Sequence, residues 1–306
     1  MLLAQVQLAL SMALVGANVA VGKLLAEALP IPLILCLRCI LACLVLWPLA
    51  RLLDGPPRLD RAAALNLALQ ALLGTALYNA ALLTGLRLTT ALEGGLVLAT
   101  MPAVVALGSA AWLRERLAPR HWLAAALAAG GMAAITVARL GGDAGGSALG
   151  NALVFAGVCG EAAYVLLAKR LGGRVPVVTA SFWMQLFSAA MLLPLALPGI
   201  LGPGFGTPGL GALGAGTLAP LADPALAGLL VFHSLTASVL CLLLWYAGLR
   251  RVPAGVAGIF TGFLPAAAAL TAVLALGEQF TVTHAVGLAL MGGSLLLATW
   301  PKRYRA

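Results

Sequence analysis

Two stretches of the chain carry the same residues in the same order. The first contains Gly85-Leu86-Arg87, Pro102-Ala103 and Glu115, and the second contains Gly248-Leu249-Arg250, Pro265-Ala266 and Glu278. Each match lies 163 positions further along, and nearer the N-terminus Lys23 pairs with Lys169 at an offset of 146. Chance matches among alanine, glycine and leucine are common here, whereas proline and glutamate aligning in one frame are not. The sequence therefore predicts a duplicated fold, with halves at 1–142 and 143–306.

The composition is that of a membrane protein. Of the 306 residues, 62% are hydrophobic and 9% are charged, and the mean hydropathy is +1.07. Soluble proteins carry about 25% charged residues, so a water-soluble enzyme is excluded. A transmembrane helix needs about 20 mostly apolar residues. The charge-free runs predict an all-α integral membrane protein with ten transmembrane helices, at about 3–24, 31–50, 64–86, 91–112, 120–138, 151–170, 176–197, 225–248, 254–276 and 282–300.

The positive charges favour one orientation of these helices. With the N-terminus in the cytoplasm, 14 of the 18 lysines and arginines fall in cytoplasmic connections and three fall outside, while Arg38 lies within a span. Cytoplasmic loops are enriched in Lys and Arg, so both termini are predicted to be cytoplasmic. Each half then holds five helices, and because five is odd the second copy is inverted. Inverted repeats are typical of secondary transporters, whose substrate sites lie between the repeats.

Other classes of protein fit the sequence less well. The net charge of +9 could indicate nucleic-acid binding, but the basic residues stand in short groups between apolar runs. We therefore expect the lipid bilayer, and no nucleic acid, as a partner. The five cysteines lie in apolar runs, and Cys36, Cys39 and Cys43 share a helical face without a nearby fourth ligand, so neither disulfides nor a metal site is expected.

Catalytic and nucleotide-binding motifs are also missing from the sequence. It contains no Walker A motif, nucleophile elbow or dinucleotide fingerprint. We therefore expect no cofactor, no ATPase subunit and no enzymatic activity. An intramembrane enzyme is kept as a remote alternative.

Several motifs resemble the EamA-type repeat of the drug/metabolite transporter superfamily. They are Gly85-Leu-Arg, Arg114-Glu-Arg-Leu-Ala-Pro-Arg-His-Trp, Trp245-Tyr-Ala-Gly-Leu-Arg-Arg-Val-Pro and Gly277-Glu278. The resemblance implies a monomeric carrier of the bacterial inner membrane that exports small organic metabolites by alternating access through a central cavity. Neutral or aromatic amino acids are the expected substrates, because the layout resembles that of the aromatic and neutral amino-acid exporters. Ala99 and Met101 depart from those exporters, in which aromatic residues precede this proline.

A shorter resemblance suggests an alternative function. The run from Gly160-Glu161 to Lys169 is similar to the first helix of the small multidrug-resistance proteins, in which an intramembrane carboxylate is followed by a lysine eight residues later. This resemblance implies proton-coupled efflux of cationic drugs, with Glu161 binding either the proton or the drug.

The candidate site residues are polar groups inside spans. Glu161 lies near the middle of the sixth span, where a carboxylate is costly and is usually functional. Arg38 could bind a substrate carboxylate, or it could snorkel or bond to backbone carbonyls in a structural role. The other candidates for contact with substrate are Asn18, Tyr78, Asn79, Met101, Tyr164 and His233. Each could instead bond one helix to another.

Two prolines are candidate helix breaks. Pro102 and Pro265 occupy equivalent positions in the two halves and fall within predicted spans. Each removes a helical hydrogen bond, and paired interruptions in matching helices point to a transporter binding site. We therefore expect both to act as hinges or helix breaks.

Overall fold

The computed structural model describes residues 2–88, 97–98, 100–140, 147–201, 218–264, 267 and 282–299. In these residues the fold is helical throughout, apart from turns and one isolated bridge between Gly172 and Val175. The α-helices are α1 (Leu2–Ala28), α2 (Ile31–Leu53), α3 (Arg61–Ala71), α4 (Tyr78–Leu88), α5 (Met101–Trp112), α6 (Pro119–Leu140), α7 (Ala148–Leu171), α8 (Val177–Leu201), α9 (Pro224–His233), α10 (Cys241–Leu249), α11 (Ala254–Phe260) and α12 (Val282–Thr299).

Two pairs of these helices are joined without a break by π-helical segments. Leu72–Leu77 connects α3 to α4, and Ser234–Leu240 connects α9 to α10. A shift of 163 residues carries the first segment onto the second, so the irregularity recurs where the sequence repeat predicts an equivalent position. π-helical turns are rare and occur frequently at functional sites.

Helices are the expected structure in a bilayer because backbone polar groups there must bond within the protein. Five stretches of the described chain are long and apolar enough to cross a membrane: Ile31–Leu53, Arg61–Leu82, Ala148–Leu171, Val177–Leu197 and Pro224–Leu249. Polar side chains cap some helix starts, as where Asp60 accepts from the Ala63 N–H at 2.6 Å. The predicted all-α membrane fold is confirmed, and the count of ten spans stays a prediction.

The core lies between the two halves of the sequence. The principal contacts pair α1 with α10, α4 with α7, α2 with α8, α5 with α11, and α6 with α12. Each pair joins one helix from residues 1–142 to one from residues 143–306. Since both halves supply every major interface, side chains on these contacts lie at the boundary between the halves.

The proline-bearing helices are interrupted just before the expected prolines. Pro102 lies buried in the first turn of α5, after a turn at Thr100. In the other half, α11 ends at Phe260 and a turn follows at 261–262, while Pro265 lies outside the described residues. Thr100 and Thr261 each donate a 2.6 Å hydrogen bond to the carbonyl three residues earlier. A similar turn therefore occurs in both halves, two residues further from the proline in the second half than in the first.

Candidate functional site

One candidate region lies where α7 crosses α3 and α4, which we call the α7 crossing. Glycines permit close approach here. A Cβ on Gly85 would stand 2.8 Å from the Gly150 carbonyl oxygen, and one on Gly74 would stand 2.8 Å from the Tyr164 Cβ. These contacts place the predicted residue Tyr164, only 8% exposed, directly against the π-helical segment of the facing helix.

Glu161 belongs to the same crossing. It is half-buried and follows Gly160, whose Cβ would lie 3.0 Å from the Leu73 carbonyl oxygen. Tyr78 faces α7 close to this position, because its Cδ2 would lie 3.7 Å from a Cβ on Gly157, and Tyr164 follows Glu161 by three residues on α7. Within the described chain the carboxylate has no hydrogen-bond partner and no ion-pair partner within 4 Å. The crossing therefore presents an uncompensated carboxylate among tyrosines.

Lys169 does not partner Glu161. Eight residues along one helix correspond to about 12 Å, and the Lys169 Nζ instead donates to the carbonyl oxygens of Leu249, at 2.9 Å, and Val252. Across the same turn, the Glu115 carboxylate accepts from the backbone N–H groups of Ala254 and Gly255 at 2.9 and 3.2 Å. The lysine and this glutamate hold the α10–α11 turn, so Glu161 is left available.

A second region lies where α1 crosses α9 and α10, which we call the α1 crossing. Asn18 is buried here, and its Nδ2 donates to the Leu14 carbonyl at 2.9 Å. Its Oδ1 accepts from Thr236 Oγ1 at 3.0 Å and lies 2.9 Å from His233 Nδ1. The Asn18 side-chain oxygen, which faces His233, can only accept a hydrogen bond. The His233 Nδ1 therefore carries the proton in this contact. Asn18 and His233 therefore bond helix to helix.

Arg38 lies beside the α1 crossing on α2. Its backbone carbonyl accepts from Ser234 Oγ, on the residue after His233, at 2.7 Å. The Nε atom is buried and makes no hydrogen bond in the described part of the chain. On the wheel of α2, Arg38 shares a face with Ile34 and Ala42, both buried, which places it toward the protein rather than the lipid.

Arg38 and Glu161 lie in one layer of the bundle. The Cys36 thiol of α2 contacts the Ala189 carbonyl of α8. The next residue back, Ser188, is 3.3 Å from Thr75 in the first π-helical segment, oxygen to oxygen. Leu73 and Leu77 of that segment then contact Gly160 of α7. Arg38 is two residues from Cys36 and Glu161 is one residue from Gly160, so the two charges stand at similar depth.

The remaining predicted residues are placed less informatively. Asn79 is half-buried, and its Nδ2 donates to the Thr75 carbonyl of its own helix at 2.6 Å. Met101 is buried at the start of α5, in the core cluster that also contains Tyr164. Neither makes a described polar contact with Glu161 or Arg38. A cavity of about 310 Å³ opens beside Arg250 and Arg251, away from Glu161.

The sequence analysis missed a polar contact in the core. The Tyr246 hydroxyl donates to Gln70 Oε1 at 2.6 Å, and the Gln70 Nε2 donates to Asn66 Oδ1 at 2.6 Å. The offset of 163 could have found it, because it maps the predicted His233 onto Gln70. Thr236 was also missed, although it lies three residues from His233 on the same helix.

Comparisons with known proteins show the fold and the family of this chain. A solved crystal structure covers 95% of this chain and 95% of its own, with a TM-score of 0.75 and 21% identity, a likeness that shows the fold alone. The uncharacterized transporter YetK of Bacillus subtilis (strain 168) is 32% identical over 303 residues, covering 98% of this chain and 88% of that protein. The model of the EamA-like transporter family matches twice, at residues 2–137 and 148–300. The chain therefore belongs to the EamA-like transporter family and is a multi-pass membrane transporter of small molecules.

Proposed function

We propose that this protein is a secondary carrier that exports small organic metabolites, most favourably neutral or aromatic amino acids, by alternating access. Its substrate site is a central cavity between two inverted halves, 1–142 and 143–306. The carrier works as a monomer in the bacterial inner membrane with both termini in the cytoplasm. The observation that carries the proposal is the uncompensated Glu161 carboxylate at the boundary between the halves.

The helix contacts support the inverted repeat. In an inverted repeat, α1 corresponds to α7, α2 to α8, and α3–α4 to α9–α10. The two-fold axis that relates the halves then exchanges the α1–α10 contact with the α7–α4 contact. The same axis maps the α2–α8 contact onto itself. The atoms follow the same rule. Cys36 Sγ contacts the Ala189 carbonyl, and Cys43 Sγ contacts the Phe182 carbonyl. Both pairs exchange under an offset of 146 residues. The two matches of the family model also fall within the two proposed halves.

The surroundings of Glu161 support a role in binding. An ionisable side chain inside a bilayer is costly and is usually kept for function. The 146-residue offset pairs Glu161 with Val15 of α1, so the duplicated backbone is compatible with an apolar residue at this position. The half-buried Tyr78 faces α7, and Tyr164 lies about one turn beyond Glu161 on α7. A carboxylate beside aromatic rings suits an ammonium group attached to an apolar or aromatic body.

The same carboxylate favours a second candidate function. Since Lys169 binds backbone carbonyls of the α10–α11 turn, Glu161 has no fixed counter-charge on its own helix. A carboxylate in that state can exchange a proton for a cationic drug. Proton-coupled efflux of cationic drugs is therefore the runner-up, and an intramembrane enzyme has no described constellation in its favour.

Reconstituted protein separates the two functions. We expect proteoliposomes to exchange labelled phenylalanine for unlabelled phenylalanine without a pH gradient. Glu161→Gln should reduce this exchange at least tenfold, because the glutamine amide has no negative charge to attract the substrate ammonium. Asp223→Asn is the matched control, because that exposed carboxylate only accepts from the Ala225 N–H at a helix start.

The opposite outcomes are equally clear. Flux of a lipophilic cation that collapses with the gradient, without phenylalanine exchange, would establish the drug carrier instead. Normal phenylalanine exchange in Glu161→Gln would contradict the site assignment and leave the carrier function standing.

A further inference from the structure

We propose that Arg38 is the carboxylate-binding residue of this site, so that the carrier recognises both ends of a zwitterion. The substrate carboxylate binds Arg38 on α2, and the substrate ammonium binds Glu161 on α7. This inference rests on the proposed function and adds the polarity with which a substrate lies in the bundle. It also names the chemical feature by which the site rejects simple amines.

The first argument is the layer that the two charges share. The contacts from Cys36 to Ala189, from Ser188 to Thr75 and from Leu77 to Gly160 run across α2, α8, the first π-helical segment and α7. Arg38 and Glu161 therefore stand at one depth on different helices. The Arg38 carbonyl accepts from Ser234 Oγ at the start of the second π-helical segment, so α2 meets the α9–α10 helix at this depth. Among the described residues no contact joins Arg38 to Glu161 directly, and the proposal places the substrate between them.

The second argument is that, among the described residues, neither Arg38 nor Glu161 has a partner of opposite charge within 4 Å. Buried charges in proteins are normally paired and hydrogen-bonded. The buried Nε of Arg38 makes no hydrogen bond in the described chain, and the Arg38 carbonyl accepts from Ser234, the residue after His233. His233 uses its Nδ1 proton on Asn18, so the neutral ring can offer Arg38 only a lone pair. A guanidinium that shares a face with buried Ile34 and Ala42 needs an anion, and it binds carboxylates in a bidentate geometry.

The third argument comes from the repeat. The contacts of Cys36 and Cys43 with α8 exchange under an offset of 146, and the same offset pairs Arg38 with Met184. Met184 is buried at 5% exposure in α8. The equivalent position thus accommodates an uncharged side chain in the same packing. Arg38 and Glu161 both break the symmetry of the two halves, and they break it with opposite charges, which is what an asymmetric zwitterion requires.

The chemistry of the pair defines the substrate class. A ligand must present a carboxylate and an ammonium together, with an uncharged body that accepts the surface of Tyr78 and Tyr164. Removing the carboxylate, as in phenylalaninamide, leaves a cation that meets Arg38 unfavourably. Removing the ammonium, as in 3-phenylpropionate, leaves Glu161 unpaired. Both analogues should compete poorly with phenylalanine for the wild-type protein.

The test measures which end of the substrate each residue recognises. In the proteoliposome exchange assay, Arg38→Gln should lower phenylalanine flux by roughly tenfold to a hundredfold, as expected for losing hydrogen bonds to a charged group. In the same variant, phenylalaninamide should compete with phenylalanine at least as well as it does in wild-type protein. In Glu161→Gln the other analogue is affected: 3-phenylpropionate should compete with phenylalanine at least as well as it does in wild-type protein. Arg38→Lys keeps the positive charge but loses the bidentate geometry of the guanidinium, so its phenylalanine flux should lie between those of wild type and Arg38→Gln.

Each failure has a different meaning. If wild-type protein exchanges phenylalanine but Arg38→Gln lowers exchange and phenylalaninamide competition equally, Arg38 is structural and the inference is overturned while the proposed function stands. If wild-type protein exchanges no amino acid, both are overturned. Arg38→Lys and a size-exclusion profile of each variant in detergent ensure that misfolding is recognised. A folded Arg38→Lys whose phenylalanine flux is as low as that of Arg38→Gln would also contradict the inference, because the retained positive charge would then contribute nothing.

Discussion

The α1 crossing and the α7 crossing share one backbone plan and differ in how it is filled. Gly248 packs on Ala4 in the first, and Gly85 packs on Gly150 in the second, with a Cβ at either glycine 2.8 Å from the facing carbonyl oxygen. Beyond that common contact, side-chain hydrogen bonds join the helices of the α1 crossing. Ser11 bonds to Cys241, and Asn18 bonds to His233. The α7 crossing has glycine and tyrosine at the matching positions, Gly157 and Tyr164, together with the uncompensated Glu161.

The difference separates polar residues that bond helix to helix from Glu161, which has no such partner among the described residues. Asn18 and Tyr164 are equivalent under the 146-residue offset, yet Asn18 fixes His233 and Thr236 whereas Tyr164 packs on Gly74. Both crossings therefore achieve close packing, one through hydrogen bonds and the other through small residues. The second solution leaves the charge in its layer free to bind something else.

The largest expected effect concerns the contact that both crossings share. Gly85→Ala and Gly248→Ala each drive a methyl group against a backbone carbonyl oxygen, which cannot rotate away. Overpacking of this kind costs about 1–3 kcal/mol. We expect both variants to lose similar amounts of folded protein when heated in detergent and measured by size exclusion.

Gly130→Ala is the control for these two variants. A Cβ at Gly130 meets nothing within 4 Å, and alanine is a better helix former than glycine by about 1 kcal/mol. Its stability should therefore be unchanged or raised. A large loss at one of the paired glycines with none at the other would show that the two crossings are not equivalent.

The next effect breaks the comparison at its polar end. Asn18→Leu leaves the His233 Nδ1 without its acceptor, whereas Thr236 can still donate to the Phe232 carbonyl at 2.7 Å. An interhelical hydrogen bond in a membrane contributes about 1 kcal/mol, and a buried donor left without a partner costs about as much again. We expect a loss of about 1–2 kcal/mol in detergent unfolding. Asn79→Leu is the matched control, because Asn79 bonds only to Thr75 of its own helix. Equal stability of the two variants would mean that the Asn18 contacts do not hold the α1 crossing.

The fold could be predicted from the sequence to a useful extent because hydropathy and charge act over whole helices. The expected span 151–170 lies within α7, and 31–50 lies within α2. The offset of 163 predicted equivalent positions that the structure fills with matching π-helical segments. The segments themselves were not predicted, because a register shift of one residue within a helix leaves the hydropathy of that helix almost unchanged.

The candidate site was less predictable because it depends on how helices rotate and cross. Sequence could identify Glu161 as a carboxylate in a span, but its lack of a partner depends on where the Lys169 side chain goes. Helix length alone placed Lys169 about 12 Å away, which argued against a direct pair. That Asn18 would use its oxygen on His233 depended on the facing of α1 and α9. Arg38 and Glu161 share a layer only because α8 and the first π-helical segment connect them.

The smallest expected effect sharpens the comparison by converting one crossing toward the other. Ser11 Oγ donates to the Cys241 carbonyl at 2.9 Å, and the equivalent Gly157 faces the Tyr78 carbonyl with a Cβ position 3.5 Å from that oxygen. Gly157→Ser therefore fits without a clash, and its hydroxyl can donate to Tyr78 as Ser11 does to Cys241. Replacing glycine in a helix and adding one hydrogen bond should together raise stability by about 0.5–1 kcal/mol.

Gly160→Ser is the contrasting variant for this experiment, since it lies on the same face one turn further along α7. Its Cβ would stand 3.0 Å from the Leu73 carbonyl oxygen, so the facing helix must move before the side chain fits. We expect Gly160→Ser to melt below wild type in detergent while Gly157→Ser melts at or above it. The reverse order would mean that the α7 crossing is not a glycine-packed counterpart of the α1 crossing. It would also contradict the close contact between Gly160 and the Leu73 carbonyl on which the shared depth of Arg38 and Glu161 depends.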